Sequence, residues 1–198
     1  MTAERKDVHD LVVVGASWGG LHALRTVVGG LPPDLGASVV VVQHRSPESH
    51  PTAFGDLLRA ASGVPVREAG DKEPLEPGRV YVAPPGFHTL VDGDHLELTV
   101  DAAVEYSRPS IDVLFETAAE ARRQRCVGVV LTGANADGAR GLARIVELGG
   151  GAIVQDPATA ERSEMPQAAL SAVPGAHVVP LERIAPLIAE LCPSEVPA

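Results

Sequence analysis

The sequence predicts an α/β fold: a doubly wound, mainly parallel sheet with helices on both faces and an added antiparallel hairpin. Three observations lead there. Continuous apolar runs recur along the 198 residues. Helical patterns lie between them, and one stretch carries a hairpin turn. Apolar runs without alternation are strands covered on both faces, as in a parallel sheet.

In chain order, residues 11–14, 39–42, 80–83, 127–131, 152–154 and 177–179 supply the strands. Residues 52–61 read as a helix closed by Gly63. Residues 89–98 hold Asp92-Gly93 between two short β-like runs, which is a hairpin signal. Ile111, Leu114, Phe115 and Ala118 recur at helical spacing, with Ser110 as N-cap. Residues 139–148 read as a further helix, with Asp137 in place to cap it. Ile184, Leu187, Ile188 and Leu191 repeat the helical pattern, and Pro186 is expected to mark a first turn or a kink. Residues 10–192 read as one domain, with loose tails at 1–9 and 193–198.

Composition narrows the function. The chain is 45% hydrophobic but 3% aromatic, so its core is Val, Leu, Ile and Ala. A formal charge of −10 argues against nucleic acid and against an anionic membrane surface. No apolar run approaches the ~20 residues of a membrane span. Residues 1–7 show no signal-peptide pattern, so the chain is expected to be cytoplasmic. Cys126 and Cys192 lack metal spacing and C-x-x-C and read as small packing residues. Neither a metal nor a cofactor is expected.

The first strand ends in Gly15-Ala16-Ser17-Trp18-Gly19, the G-x-S-x-G of a nucleophile elbow. Glycines there allow a sharp turn, and free amides at the helix start face whatever binds. The motif alone fits a catalytic serine, a phosphate-binding turn or a plain turn residue. The spacing lacks G-x-G-x-x-G, which weakens a nucleotide-binding reading.

Sites in open α/β sheets form beyond the carboxyl ends of the strands. Three strand ends carry Ser17, His44 and Asp137. A hydroxyl, an imidazole and a carboxylate are the composition of a serine hydrolase site. A serine needs a base to take its proton, for which an imidazole is the natural group, and the carboxylate fixes the imidazole's tautomer. An α/β-hydrolase runs Ser, acid, His, whereas this order is Ser, His, Asp, so the ordinary α/β-hydrolase fold fits badly.

These motifs resemble the catalytic domain of the chemotaxis protein-glutamate methylesterases. The resemblance covers roughly residues 10–192. It rests on Val14-Gly15-Ala16-Ser17-Trp18-Gly19-Gly20, Val42-Gln43-His44 and Ala83-Pro84-Pro85-Gly86-Phe87-His88. It continues through Arg108-Pro109-Ser110-Ile111-Asp112-Val113-Leu114-Phe115, Leu131-Thr132-Gly133-Ala134-Asn135-Ala136-Asp137-Gly138-Ala139 and Met165-Pro166-Gln167-Ala168-Ala169. The resemblance implies Ser17 as nucleophile, His44 as base and Asp137 as acid. It implies hydrolysis of glutamate γ-methyl esters on chemoreceptor helices, with methanol released, and deamidation of receptor glutamines.

The amide of Trp18 and one from the loop 133–135 are the expected oxyanion donors. His88, Arg108 and Met165 are expected at the site rim, with Gly133 and Ala134 against the site. Two positions depart from the family pattern. Ala134 stands in a run that is commonly Gly-Met-Gly, and Trp18 stands where Thr or Ala is common. Trp18 reads either as a packed indole or as an apolar wall for the ester methyl. The family's N-terminal receiver domain has no room before residue 11, so a stand-alone form is expected, either constitutive or controlled by a separate regulatory protein. The alternative is a catalytically impaired receptor-binding or regulatory module of the same fold.

Overall fold

The computed structural model describes residues 9–46, 48–50 and 52–194. The expected tails at 1–9 and 193–198 lie almost wholly outside them. Among the described residues there are ten strands and six α-helices. They are β1 (Leu11–Ala16), α1 (Gly20–Gly29), β2 (Ser38–Gln43), α2 (Ala53–Arg59), β3 (Val66–Glu68), β4 (Glu73–Pro74), β5 (Val80–Val82), β6 (His88–Asp92) and β7 (His95–Thr99). After them come α3 (Ile111–Arg122), β8 (Cys126–Val130), α4 (Ala139–Glu147), β9 (Gly151–Gln155), α5 (Glu164–Ala172), β10 (His177–Val179) and α6 (Leu181–Leu191).

Seven strands form one parallel sheet in the order β10-β9-β8-β1-β2-β5-β3. The chain builds outward from β1 to one side, then returns and builds outward from β8 to the other. β1 and β8 therefore meet at the switch point, where an open sheet forms its crevice. Three strands, β4-β7-β6, form a separate antiparallel sheet, so the expected hairpin is present and gains a third strand.

Alternate residues of the Val-rich strands feed two cores. Val12, Val14, Val39 and Val41 face α1 and α6, packing with Leu24, Val27, Ile184 and Ile188. Leu11, Val13, Val40 and Val42 face the other side, with Leu114, Phe115, Leu142 and Ile145. Both faces being covered explains the unbroken apolar runs. Cys126 and Cys192 are buried thiols within these cores; burial pushes the Cys192 thiol up to about 12.

Four local expectations change. Helix α2 stops at Arg59, with Ala60 as C-cap. Gly63 lies within a turn that the Ser62 hydroxyl closes through Val64. The last helix starts at Leu181, because the buried stripe is Leu181, Ile184, Ala185 and Ile188. Pro186 therefore lies inside the helix, where packing of that stripe offsets a proline cost of about 3 kcal/mol. The hairpin loop is Gly93-Asp94, since Asp92 pairs with His95. Asp137 does not cap α4: Gly138 is its N-cap residue, and the side chain that reaches the helix start is Asp112. Among the described residues, no helix is long and apolar enough to cross a membrane.

Candidate active site

Ser17 follows the last residue of β1, and its amide donates to the Thr132 carbonyl beyond β8 (3.0 Å). Gly19, at φ 76°, takes the left-handed turn that starts α1 and that a Cβ would strain. His44 follows β2. Gln43 ties the two strand ends together: its Nε2 donates to the carbonyls of Ser17 (2.8 Å) and His44 (3.0 Å).

One hydrogen-bonded row joins the three predicted residues. Ser17 Oγ lies 3.2 Å from His44 Nδ1, and His44 Nε2 lies 2.7 Å from Asp137 Oδ2. The imidazole is mostly buried and the carboxylate fully so. An ionised carboxylate only accepts, so Nε2 carries the proton. The lone pair of Nδ1 then points at the serine hydroxyl, as a general base requires.

Asp137 is surrounded by donors. Its Oδ1 accepts from Ser110 Oγ (2.9 Å) and the Asp112 amide (2.8 Å). Its Oδ2 accepts from the Ile111 amide (2.8 Å) as well as from His44. Burial alone would raise its pKa, but the His44 bond and the amides of Asp112 and Ile111 outweigh it. The carboxyl is held below its ordinary range, and so stays charged beside the imidazole.

The remaining candidates divide. Met165 is buried, its amide donating to the Gly133 carbonyl (3.0 Å). A Cβ on Gly133 would lie 1.8 Å from Met165 Sδ and 3.0 Å from Ser17 Cβ, so a side chain there would displace Met165. The Gly133 amide donates to the Arg162 carbonyl (3.1 Å), which removes it from the expected oxyanion donors. Among the described residues, the amides of Trp18 and Ala134 have no backbone acceptor.

Trp18 is 63% exposed. Its Nε1 donates to Glu161 Oε1 (3.0 Å), so the indole is held at the surface and not packed in the core. His88 is not at the rim. It is buried, with Nδ1 accepting from the Ser110 amide (3.2 Å) and Nε2 facing the Ala102 carbonyl (3.1 Å). It steadies Ser110, which in turn bonds Asp137. Arg108 does line a cavity beside His44.

Sequence reasoning missed Gln43 as a tie, Asn135 and Thr132. Asn135 Oδ1 accepts from the Asp137 amide (3.2 Å), and its Nδ2 lies 3.4 Å from His44 Nδ1. Thr132 Oγ1 donates to the Trp18 carbonyl (2.9 Å) and accepts from the Arg162 amide (2.9 Å). A polar residue ending an apolar strand was the available signal for Gln43 and Thr132.

A doubly wound α/β domain with serine, histidine and aspartate aligned at its switch point has the make-up of a serine hydrolase. The chain belongs to the CheB methylesterase family, whose pattern matches residues 12–188. A Leptospira interrogans (serovar copenhageni) relative is 44% identical over 184 residues, 92% of this chain and 95% of that protein. The Geobacillus kaustophilus protein-glutamate methylesterase/protein-glutamine glutaminase is 40% identical over 186 residues, 91% of this chain but 53% of that protein. The chain thus spans nearly all of the first relative and about half of the second. The Thermotoga maritima CheB methylesterase catalytic domain superposes with a TM-score of 0.87 at 30% identity. That match covers 92% of this chain and 98% of the other.

Proposed function

We propose that the protein is a serine esterase that hydrolyses glutamate γ-methyl esters on a chemoreceptor or related sensory protein in the cytoplasm, giving glutamate and methanol. The observation that carries this reading is the unbroken row Ser17 Oγ–His44 Nδ1 and His44 Nε2–Asp137 Oδ2. The names of its relatives support the same reaction.

Ser17 Oγ attacks the ester carbonyl as its proton passes to His44 Nδ1. The charge on the tetrahedral oxygen is held by the amides of Trp18 and Ala134, preorganised donors of the kind that acyl transfer requires. His44 Nδ1 then protonates the departing methoxide, which leaves as methanol, and a glutamyl-Ser17 ester remains. Water gives a proton to Nδ1 and attacks that ester. The tetrahedral adduct collapses, Ser17 takes its proton back from His44 Nδ1, and the free carboxylic acid departs and loses its proton to water. Asp137 keeps its charge throughout and stabilises the imidazolium. With an amide in place of the ester, the same steps release ammonia, the glutaminase reaction in the relatives' names.

The test is methanol release from methylated receptor membranes by the wild type and by Ser17→Ala. The wild type is expected to release methanol and the variant none, with its fold retained.

A further inference from the structure

A cavity of about 510 Å³ opens at His44 and is walled by Arg45, Ser46, Tyr106, Arg108 and Pro109 among others. Its size falls within the roughly 300–1,000 Å³ of small-ligand sites. None of its lining residues is acidic, in a chain whose formal charge is −10.

The two guanidinium groups differ. Arg45 donates to the Ala83 carbonyl (2.7 Å), lies 5.0 Å from the centre of the Phe54 ring, and is offset by Glu68. Arg108 meets carbonyls: its Nη1 donates to Val100 (2.8 Å) and Asp101 (2.9 Å). Among the described residues, no carboxylate pairs with Arg108. Its hydrogen bonds to Val100 and Asp101 use Nη1 alone, and the residue lines the cavity.

The wall around Arg108 is strained. Val104 and Ser107 form an antiparallel bridge, exchanging hydrogen bonds of 3.1 and 2.8 Å. Between them Glu105 and Tyr106 have φ of 47° and 65°, a conformation that disfavours any residue with a Cβ. Tyr106 at this tip is fully exposed. Strain of this kind persists where the surroundings hold it, and it gathers at ligand sites.

We propose that this cavity is a subsite for an acidic side chain of the methylated protein lying next to the ester, with Arg108 as the charge that recognises it. The guanidinium fork matches a carboxylate and stays charged at every working pH. The proposal rests on the esterase reading, because the cavity abuts the base that serves Ser17. It adds a substrate class: glutamyl esters flanked by acids are preferred.

Two synthetic peptides test this, each with one glutamate γ-methyl ester. One carries glutamates on both sides of it and the other serines, which are uncharged and are not substrates of either reaction. In the wild type, kcat/KM is expected to favour the glutamate-flanked peptide about tenfold, equivalent to about 1.4 kcal/mol. In Arg108→Gln the ratio falls to about one, and in Arg108→Lys it stays above one. The ratio is internal to each variant, so partial loss of folded enzyme cancels. A wild-type ratio of one with brisk turnover, or an unchanged ratio in Arg108→Gln, overturns the subsite alone. No turnover of either peptide or of a small ester overturns both the subsite and the esterase reading beneath it.

Discussion

Asp112 and Asp137 cap each other's helices. Asp137, just before α4, accepts from the Ile111 and Asp112 amides that open α3. Asp112, in the first turn of α3, accepts from the Gly138 and Gly141 amides that open α4, at 2.9 and 2.7 Å. The first amides of a helix have no partner within it, and here each helix borrows a carboxylate from the other. The residue that orients His44 is therefore fixed by two helix starts at once.

Removing Asp112 tests that coupling. Asp112→Ala frees two buried amides and is expected to cost about 2 kcal/mol of stability. It also lowers esterase turnover, by loosening the turn that carries Asp137. Asp112→Asn keeps an acceptor oxygen for both amides, so it is expected to lose less of each. Urea unfolding and methanol release, measured on both variants, check the order. Equal losses in the two would contradict the capping role.

The two carboxylates have opposite pH signatures. Asp137 is held below its ordinary pKa. Its contribution to stability is complete above the usual carboxylate value of about 4 and is lost as pH falls through the lowered one. Burial holds Asp112 above its ordinary pKa, despite the amides of Gly141 and Gly138. The folded state takes up that proton first, so stability is gained as pH falls through the raised value. Asp112→Asn removes the gain and keeps the loss. Its unfolding free energy should fall more steeply than that of the wild type between about pH 6 and pH 3. A shallower slope would contradict the assignment.

Asp137→Asn replaces an acceptor that serves four donors. Any orientation of the amide turns its NH2 toward a group that also donates. The expected losses are about 2–3 kcal/mol of stability and about 10³–10⁴-fold in kcat, because the imidazole proton is no longer held on Nε2. Chemical unfolding and steady-state kinetics on the purified variant measure both.

Much of this was legible from residue patterns. The apolar runs of β1, β2 and β8 belong to strands buried on both faces, so they announced a parallel sheet and with it the row of strand ends. Ser110 before Ile111 marked the start of α3, and its hydroxyl does accept from the Val113 amide. Short edge elements escaped: β3 is Val66-Arg67-Glu68 and β4 is Glu73-Pro74, too brief to show a period. The exchange of caps escaped for a different reason. Asp112 reads locally as an acid in a helix's first turn, and only the packing of α3 on α4 reveals which amides it serves. Likewise nothing local told that Glu161 holds the indole of Trp18, since the two are 143 residues apart.

A side chain at Gly133 would crowd Met165 and Ser17. Gly133→Ala is expected to cost about 1–3 kcal/mol through overpacking and to lower turnover by pushing the nucleophile off His44. Adding Met165→Ala makes space, so the double variant should be more stable than the sum of the single losses predicts. Strict additivity in thermal unfolding would contradict the crowding.

The most direct measurement of the central claim is methanol release from methylated receptor membranes, wild type against Ser17→Ala, alongside unfolding curves for both. The wild type should release methanol. The variant should unfold like it and be slower by about 10⁶-fold, as expected when the nucleophile of a working triad is removed. Methanol release by Ser17→Ala at the wild-type rate would contradict the assignment of Ser17 as the attacking group.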